Sequence, residues 1–168
     1  MDVLERAGLV RGADRVELLS NVLVVVVPAA ASSRIAAPAD LTQMRRIALA
    51  DPEAVPAGVF ARTWLESIGL WPALRDRLIP TLNVRAALAP VESGNVDAGI
   101  VYRTDAALSR RVRVAFTVPP ESGPRIVYVV APLAATRKAS ARDLARRLAG
   151  AEARAVFERY GFRVLAPR

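Results

Sequence analysis

The stretch Asp51-Pro52-Glu53-Ala54-Val55-Pro56-Ala57-Gly58 limits the fold most, because it separates two segments of different period. Before it, Ile47 to Ala50 is continuously apolar and reads as a short buried strand. After it, Gly58 to Leu70 carries Phe60, Trp64 and Ile68 at four-residue spacing, which is one face of a helix. The stretch is therefore the strand-to-helix turn of an α/β unit. Pro56 suits the first helical position, where an N–H has no intrahelical partner in any case. The N–H groups of Ala57 and Gly58 are then orphan donors at the positive end of a helix dipole, and small side chains leave that backbone open. Two readings follow: an ordinary connection whose donors bind water, or an anion site.

Composition removes several function classes. A chain of 168 residues with 53% hydrophobic content can build one good core or two small lobes. It has neither cysteine nor histidine. Disulfide and thiolate chemistry are thereby absent, as are the commonest general base and the usual transition-metal ligands. No catalysis is expected, since a nucleophile with an adjacent base would need a rarer pair. Asp51 and Glu53 read as turn and cap residues rather than as an acid–base pair. The net charge of +8 raises a nucleic-acid reading. However, neither Arg110, Arg111 and Arg113 nor Arg142, Arg146 and Arg147 is interleaved with the aromatics that stack bases. The second set is the polar face of an amphipathic helix and reads as solvated. Met1 to Ala7 reads as a helical turn, not a signal peptide. Val22 to Val27 is apolar throughout but too short to span a bilayer, so no membrane insertion is expected. Buried on both faces, it reads as a parallel strand.

Taken in order, Ala29 to Ala39 is a connection with Asp40 capping a short helix. Ser32 and Ser33 read as solvated loop residues, with an oxyanion contact as the other option. The helix after the turn ends near Ser67, with Gly69 as its C-cap, and Pro72 to Leu78 is a second short helix. Asn83 is an N-cap that leaves the Val84 N–H free at the first helical position. The helix it opens, Val84 to Ser93, contains Pro90 and should kink there. Val96 to Tyr102 is the next strand, in which Gly99 admits a close neighbour and after which Thr104-Asp105 caps a helix. A Tyr102 hydroxyl at a strand's carboxyl end either points into the crevice where open α/β sheets bind ligands or packs on the surface. Arg113 to Val118 is a strand, and Ile126 to Val130 follows a proline-rich loop. The carboxyl-terminal segment forms two helices. Ser140 to Leu148 should turn Leu144 and Leu148 inward, and Ala151 to Tyr160 places Val156 and Tyr160 on one face before Gly161 stops it.

The stretches IALADPEAVPAG, NVRAALAPVESGNVDAGIVY and AVFERYGF, in this order and spacing, resemble the periplasmic molybdate-binding proteins of ABC importers, of the type II periplasmic binding protein family. The family's GDPxxVPAG turn, DVRxAL turn and GIVYxTDA strand end each supply one contact to a tetrahedral oxyanion. Asn83 stands where the family has aspartate, Pro90 where it has Tyr or Leu, and Val129 where it often has proline. The resemblance implies a periplasmic-binding-protein-like two-lobe α/β fold with hinge strands, the second lobe complete and the first partial. Residues 1–28 would be a remnant of lobe 1 with the outward hinge strand, 29–124 lobe 2, and 125–168 the return hinge strand with carboxyl-terminal helices of lobe 1. It also implies a ligand, molybdate or tungstate, held by the backbone N–H groups of Ala57 and Val84 and the Tyr102 hydroxyl, with molybdenum bound as the oxyanion and not ligated directly. No catalytic residue and no cofactor are implied. The partner would be the membrane permease of an ABC importer and the location the periplasm, although the chain as given carries no signal peptide. The family's amino-terminal third, with two serine contacts, has no counterpart here, so the chain reads as a fragment or a truncated product that binds its anion weakly alone. The alternative is a cytoplasmic oxyanion-sensing domain or an inactive remnant on the same fold.

Overall fold

The computed structural model describes residues 1–32 and 35–165. Its strands are β1 (Val16–Ser20), β2 (Leu23–Pro28), β3 (Ile47–Ala50), β4 (Leu78–Thr81), β5 (Ala98–Tyr102), β6 (Val112–Thr117), β7 (Val127–Val130) and β8 (Arg163–Val164). Its α-helices are α1 (Asp2–Arg6), α2 (Pro56–Ser67), α3 (Trp71–Leu74), α4 (Leu88–Glu92), α5 (Arg103–Ala106), α6 (Ala139–Leu148) and α7 (Ala151–Arg159). The chain divides into two compact units, one of Met1–Asn21 with Ile126–Arg168, the other Val22–Arg125. Among the described residues, no helix is long and apolar enough to cross a membrane.

The unit Val22–Arg125 is built on a five-stranded sheet of order β4-β3-β5-β2-β6. β3 pairs in parallel with both β4 and β5. β2 runs antiparallel to β5 and β6. That corrects the parallel direction expected for Val22 to Val27. Burial on both faces is what the apolar run encodes, and such burial is compatible with either direction. It also puts Leu23–Pro28 in this unit, where pairing on both edges holds it, rather than with residues 1–21.

Side chains alternate between the two faces of the sheet with the strand period of two. Val24, Val26, Ala48 and Val101 join Ala87, Leu88 and Val91 of the α4 region and Ala106 of α5 in one buried cluster. Small residues on that face let α4 come close. A Cβ on Gly99 would stand 2.8 Å from the Val91 side chain. α2 packs on β3 through a buried face of Ala57, Ala61, Trp64 and Leu65, with Phe60 and Ile68 only half-buried at its margin. Trp64 lies 6.1 Å from Phe116 of β6, ring centroid to ring centroid. The helix ends as its glycine predicts. Gly69 has φ +72, its N–H reaches the Glu66 carbonyl, and the Leu70 N–H reaches that of Leu65, a Schellman closure.

Several expected elements shift. The helix expected over Pro72 to Leu78 is α3, then a 3₁₀ turn Arg75–Arg77, then β4, whose Pro80 is tolerated because β4 is an edge strand. The expected kink at Pro90 does not arise. Val84 to Ala87 forms turns, α4 begins only at Leu88, and Pro90 therefore falls in the first turn, where a missing N–H costs no helix bond. Asp40 lies inside the 3₁₀ segment Pro38–Gln43 and accepts from the Ala36 and Ala37 N–H groups. Ser32 is exposed, and Ser33 lies outside the described residues.

The other unit carries a three-stranded antiparallel sheet of order β7-β1-β8. Its aromatic centre is Tyr128, Phe157 and Phe162, with edge contacts of 5.5 and 6.3 Å between ring centroids. None of the described residues of α6 or α7 is buried. Leu144 is 58% exposed, so the inward place expected for it is corrected, while Leu148 is half-buried. Ala145 of α6 and Phe157 of α7 are likewise half-buried.

This contrast predicts a graded mutational response. Leu65→Ala in the closed core of Val22–Arg125 should cost about 2–5 kcal/mol, as large-to-small core changes do. Leu144→Ala should stay within about 0.5 kcal/mol. Urea denaturation followed by circular dichroism distinguishes the two.

Candidate functional site

Three parallel strands end on the same edge of the five-stranded sheet, and each is followed by one of the residues singled out in the sequence. β3 leads through Asp51 to Ala57, β4 through Leu82 and Asn83 to Val84, and β5 ends at Tyr102 itself. Because β4, β3 and β5 are adjacent, the segments that carry Ala57, Val84 and Tyr102 leave the carboxyl edge of one sheet. That edge is where open α/β sheets bind ligands.

The β3–α2 turn is drawn tight. The Asp51 N–H continues the pairing by donating to the Thr81 carbonyl, and its carboxylate accepts from the Glu53 N–H at 2.8 Å. Glu53 turns outward to Arg62, which also holds Glu66 and stacks 5.0 Å from the Trp71 ring. Both carboxylates are thus engaged within the turn and its helix; Glu53 is an ion-pair partner rather than a cap. Pro56 occupies the first helical position and no side chain caps the helix, while the Val55 carbonyl takes the Val59 N–H. Ala57 is 3% exposed. Gly58 has a different task from the one expected. A Cβ there would stand 2.2 Å from the Ala50 carbonyl oxygen and 2.3 Å from that of Asp51. Its missing side chain faces the strand end and lets the helix start directly on it.

The β4 turn is fixed from both sides. Thr81 Oγ1 lies 3.0 Å from the Leu49 carbonyl and 2.9 Å from that of Asn83. Asn83 Oδ1 accepts from the Ala86 N–H at 2.9 Å, so the expected cap forms even though a regular helix starts later. Val84 is half-buried and Leu82, beside it, is 90% exposed. At β5, Tyr102 is half-buried and is itself the N-cap residue of α5, in place of the expected Thr104-Asp105. The Arg103 N–H is taken by the Val22 carbonyl, and its guanidinium reaches Thr117.

Sequence reasoning missed Asp105 as more than a cap. It is 8% exposed, with Arg85 Nε 3.8 Å from its carboxylate. Burial pushes the Asp105 carboxyl above its usual range and the Arg85 charge pulls it back.

An aspartate held above its unfolded value adds stability below that value and loses it as pH rises through the folded one. Asp105→Asn should therefore gain on the parent as pH rises from 4 toward 7. Urea midpoints across that range measure the difference; parallel profiles would refute it.

Comparison with known proteins gives a consistent picture. The family model described as bacterial extracellular solute-binding protein matches residues 1–163. A molybdate-binding protein of Escherichia coli, ModA, is 38% identical over 158 residues, covering 90% of this chain and 62% of the relative. A Bacillus subtilis relative, 37% identical over 150 residues, is spanned for 58% of its length. The chain thus spans about three-fifths of these relatives. Among solved structures, a substrate binding domain from Clostridium difficile superposes with a TM-score of 0.88 at 28% identity, over 99% of this chain and 73% of that one. The Azotobacter vinelandii periplasmic molybdate-binding protein shares the fold, with a TM-score of 0.75 at 21% identity, over 99% of this chain and 74% of that one.

Proposed function

The chain belongs to the bacterial extracellular solute-binding protein family, and from that premise we propose that it binds molybdate, or the nearly isosteric tungstate, for an ABC importer. The observation that carries the reading is that Ala57, Val84 and Tyr102 lie on segments leaving the ends of three adjacent parallel strands, in a chain 38% identical to a molybdate-binding protein. Its place is the periplasm and its partner the importer's membrane permease. It does no chemistry on its ligand.

The proposed contacts are neutral donors. The Ala57 N–H stands at the uncapped, positive end of α2, the Val84 N–H opens the turn held by Asn83, and the Tyr102 hydroxyl donates from the end of β5. Oriented dipoles stabilise a doubly charged tetrahedral anion without a cation that would hold any phosphate ester equally well. No backbone N–H can accept a proton. A hydrogen phosphate placed here would leave its O–H unpaired unless the Tyr102 hydroxyl turned to accept it in place of donating, a penalty of about 1–3 kcal/mol. Asp51 and Glu53, the carboxylates nearest the α2 donors, are already engaged and so repel the anion less.

Tyr102→Phe tests the assignment. Losing one hydrogen bond to a charged ligand, worth about 1.5–3 kcal/mol, should weaken molybdate binding by roughly 10- to 100-fold without changing the circular dichroism spectrum. Titration calorimetry with molybdate and tungstate on both proteins reads this directly. Equal affinity in the variant would remove Tyr102 from the site.

A further inference from the structure

β4 and β5 carry two of the three proposed donors but are not neighbours, because β3 lies between them. Hydrogen bonding within the sheet therefore does not set the distance between their ends directly. The Arg85–Asp105 pair joins them. Arg85 follows Val84 in the β4 turn, and Asp105 lies three positions past Tyr102. The residues beneath the pair, Ala87 and Ala106, share one buried cluster with Ala48 of β3, so the pair spans β3 on the face that carries α4 and α5.

An exposed ion pair would be worth little. This one differs, because its acid is buried: Asp105 and Asn21 are the buried polar residues of the described core. A buried carboxylate is costly unless a charge or hydrogen bonds compensate it, and Arg85 is its cationic neighbour. The arginine's own side chain is 75% exposed. Its charge thus stands one residue from a proposed anion donor. Unpaired, it would attract phosphate and sulfate as readily as molybdate.

We propose that Asp105 is a positioning and selectivity residue. Through Arg85 it braces the Val84 turn against the Tyr102 strand end, and it cancels the guanidinium next to Val84. The proposal rests on the oxyanion reading given above. The brace itself is a property of the ligand-free protein and can be read apart from it.

The test uses the full ¹⁵N-labelled chain, Asp105→Asn, and the double variant Arg85→Gln with Asp105→Asn. Amide spectra without ligand come first. Asp105→Asn should move the Val84 resonance as well as those of residues near 105, because Arg85 links the two turns. Molybdate, sulfate and phosphate are then titrated at low and high sodium chloride. Asp105→Asn should lower the ratio of molybdate to sulfate affinity about tenfold, in the range usual for losing a residue that orients a ligand-binding group. It should also make anion binding more salt-dependent, as an uncancelled surface charge does. The double variant, which removes the released charge, should restore the ratio; a merely structural Asp105 would give no such suppression. Shifts confined to residues 102–107 with an unchanged ratio would overturn the proposal. Cross-turn shifts in a parent protein whose Val84 and Tyr102 amides answer to none of the anions would overturn the oxyanion reading and the selectivity role together, leaving only the brace.

Discussion

Everything at the candidate site depends on β3 being paired on both edges by strands that run its own way. Its four residues, Ile47 to Ala50, are fully buried, and its end fixes where α2 begins. Parallel pairing demands a crossover after each strand, and the crossovers from β3 and β4 each begin at the same edge. Oriented backbone donors collect there because helical or turn geometry begins where extended geometry stops. Gly58 makes the arrangement compact, since any side chain at that position would meet the last carbonyls of the strand.

Part of the cationic content is used on backbone. Arg77 donates to the Thr42 and Met44 carbonyls, Arg111 to Glu92, Arg113 to Ala31 and Arg154 to Ala149. Guanidinium groups suit this task because their several donors can satisfy carbonyls that a loop leaves open. Arg142, Arg146 and Arg147 stand exposed on α6, with Arg146 paired to Asp143. Part of the cationic content of a sequence with net charge +8 therefore tethers loops.

The two units differ in how completely they close their cores. In Val22–Arg125 every strand but the edge pair is covered, and α2, α4 and α5 each bury a face. In the other unit, α6 and α7 bury nothing fully, and Leu133, Leu144, Val156 and Tyr160 remain exposed. Donors fixed within the well-packed unit keep their orientation, which is what recognition by neutral groups requires.

The sequence by itself determined the local chemistry: the strand-to-helix turn at Asp51–Gly58, Pro56 at the first helical position, Gly69 as the stop, Asn83 as a cap and Tyr102 at a strand end. Each follows from steric or hydrogen-bonding limits acting within a few residues. Tertiary structure decided what local rules leave open. The direction of β2 was hidden because burial on both faces has no sense of direction. β4 was masked by Pro80, which only an edge position excuses. Pro90 does not kink its helix because packing set the start of α4 at Leu88. The exposure of Leu144 was unreadable, since a helix period says which residues share a face and not whether anything covers it. The Arg85–Asp105 contact lay furthest from view: it joins two turns across a strand that neither belongs to, and only the order of the sheet brings them together.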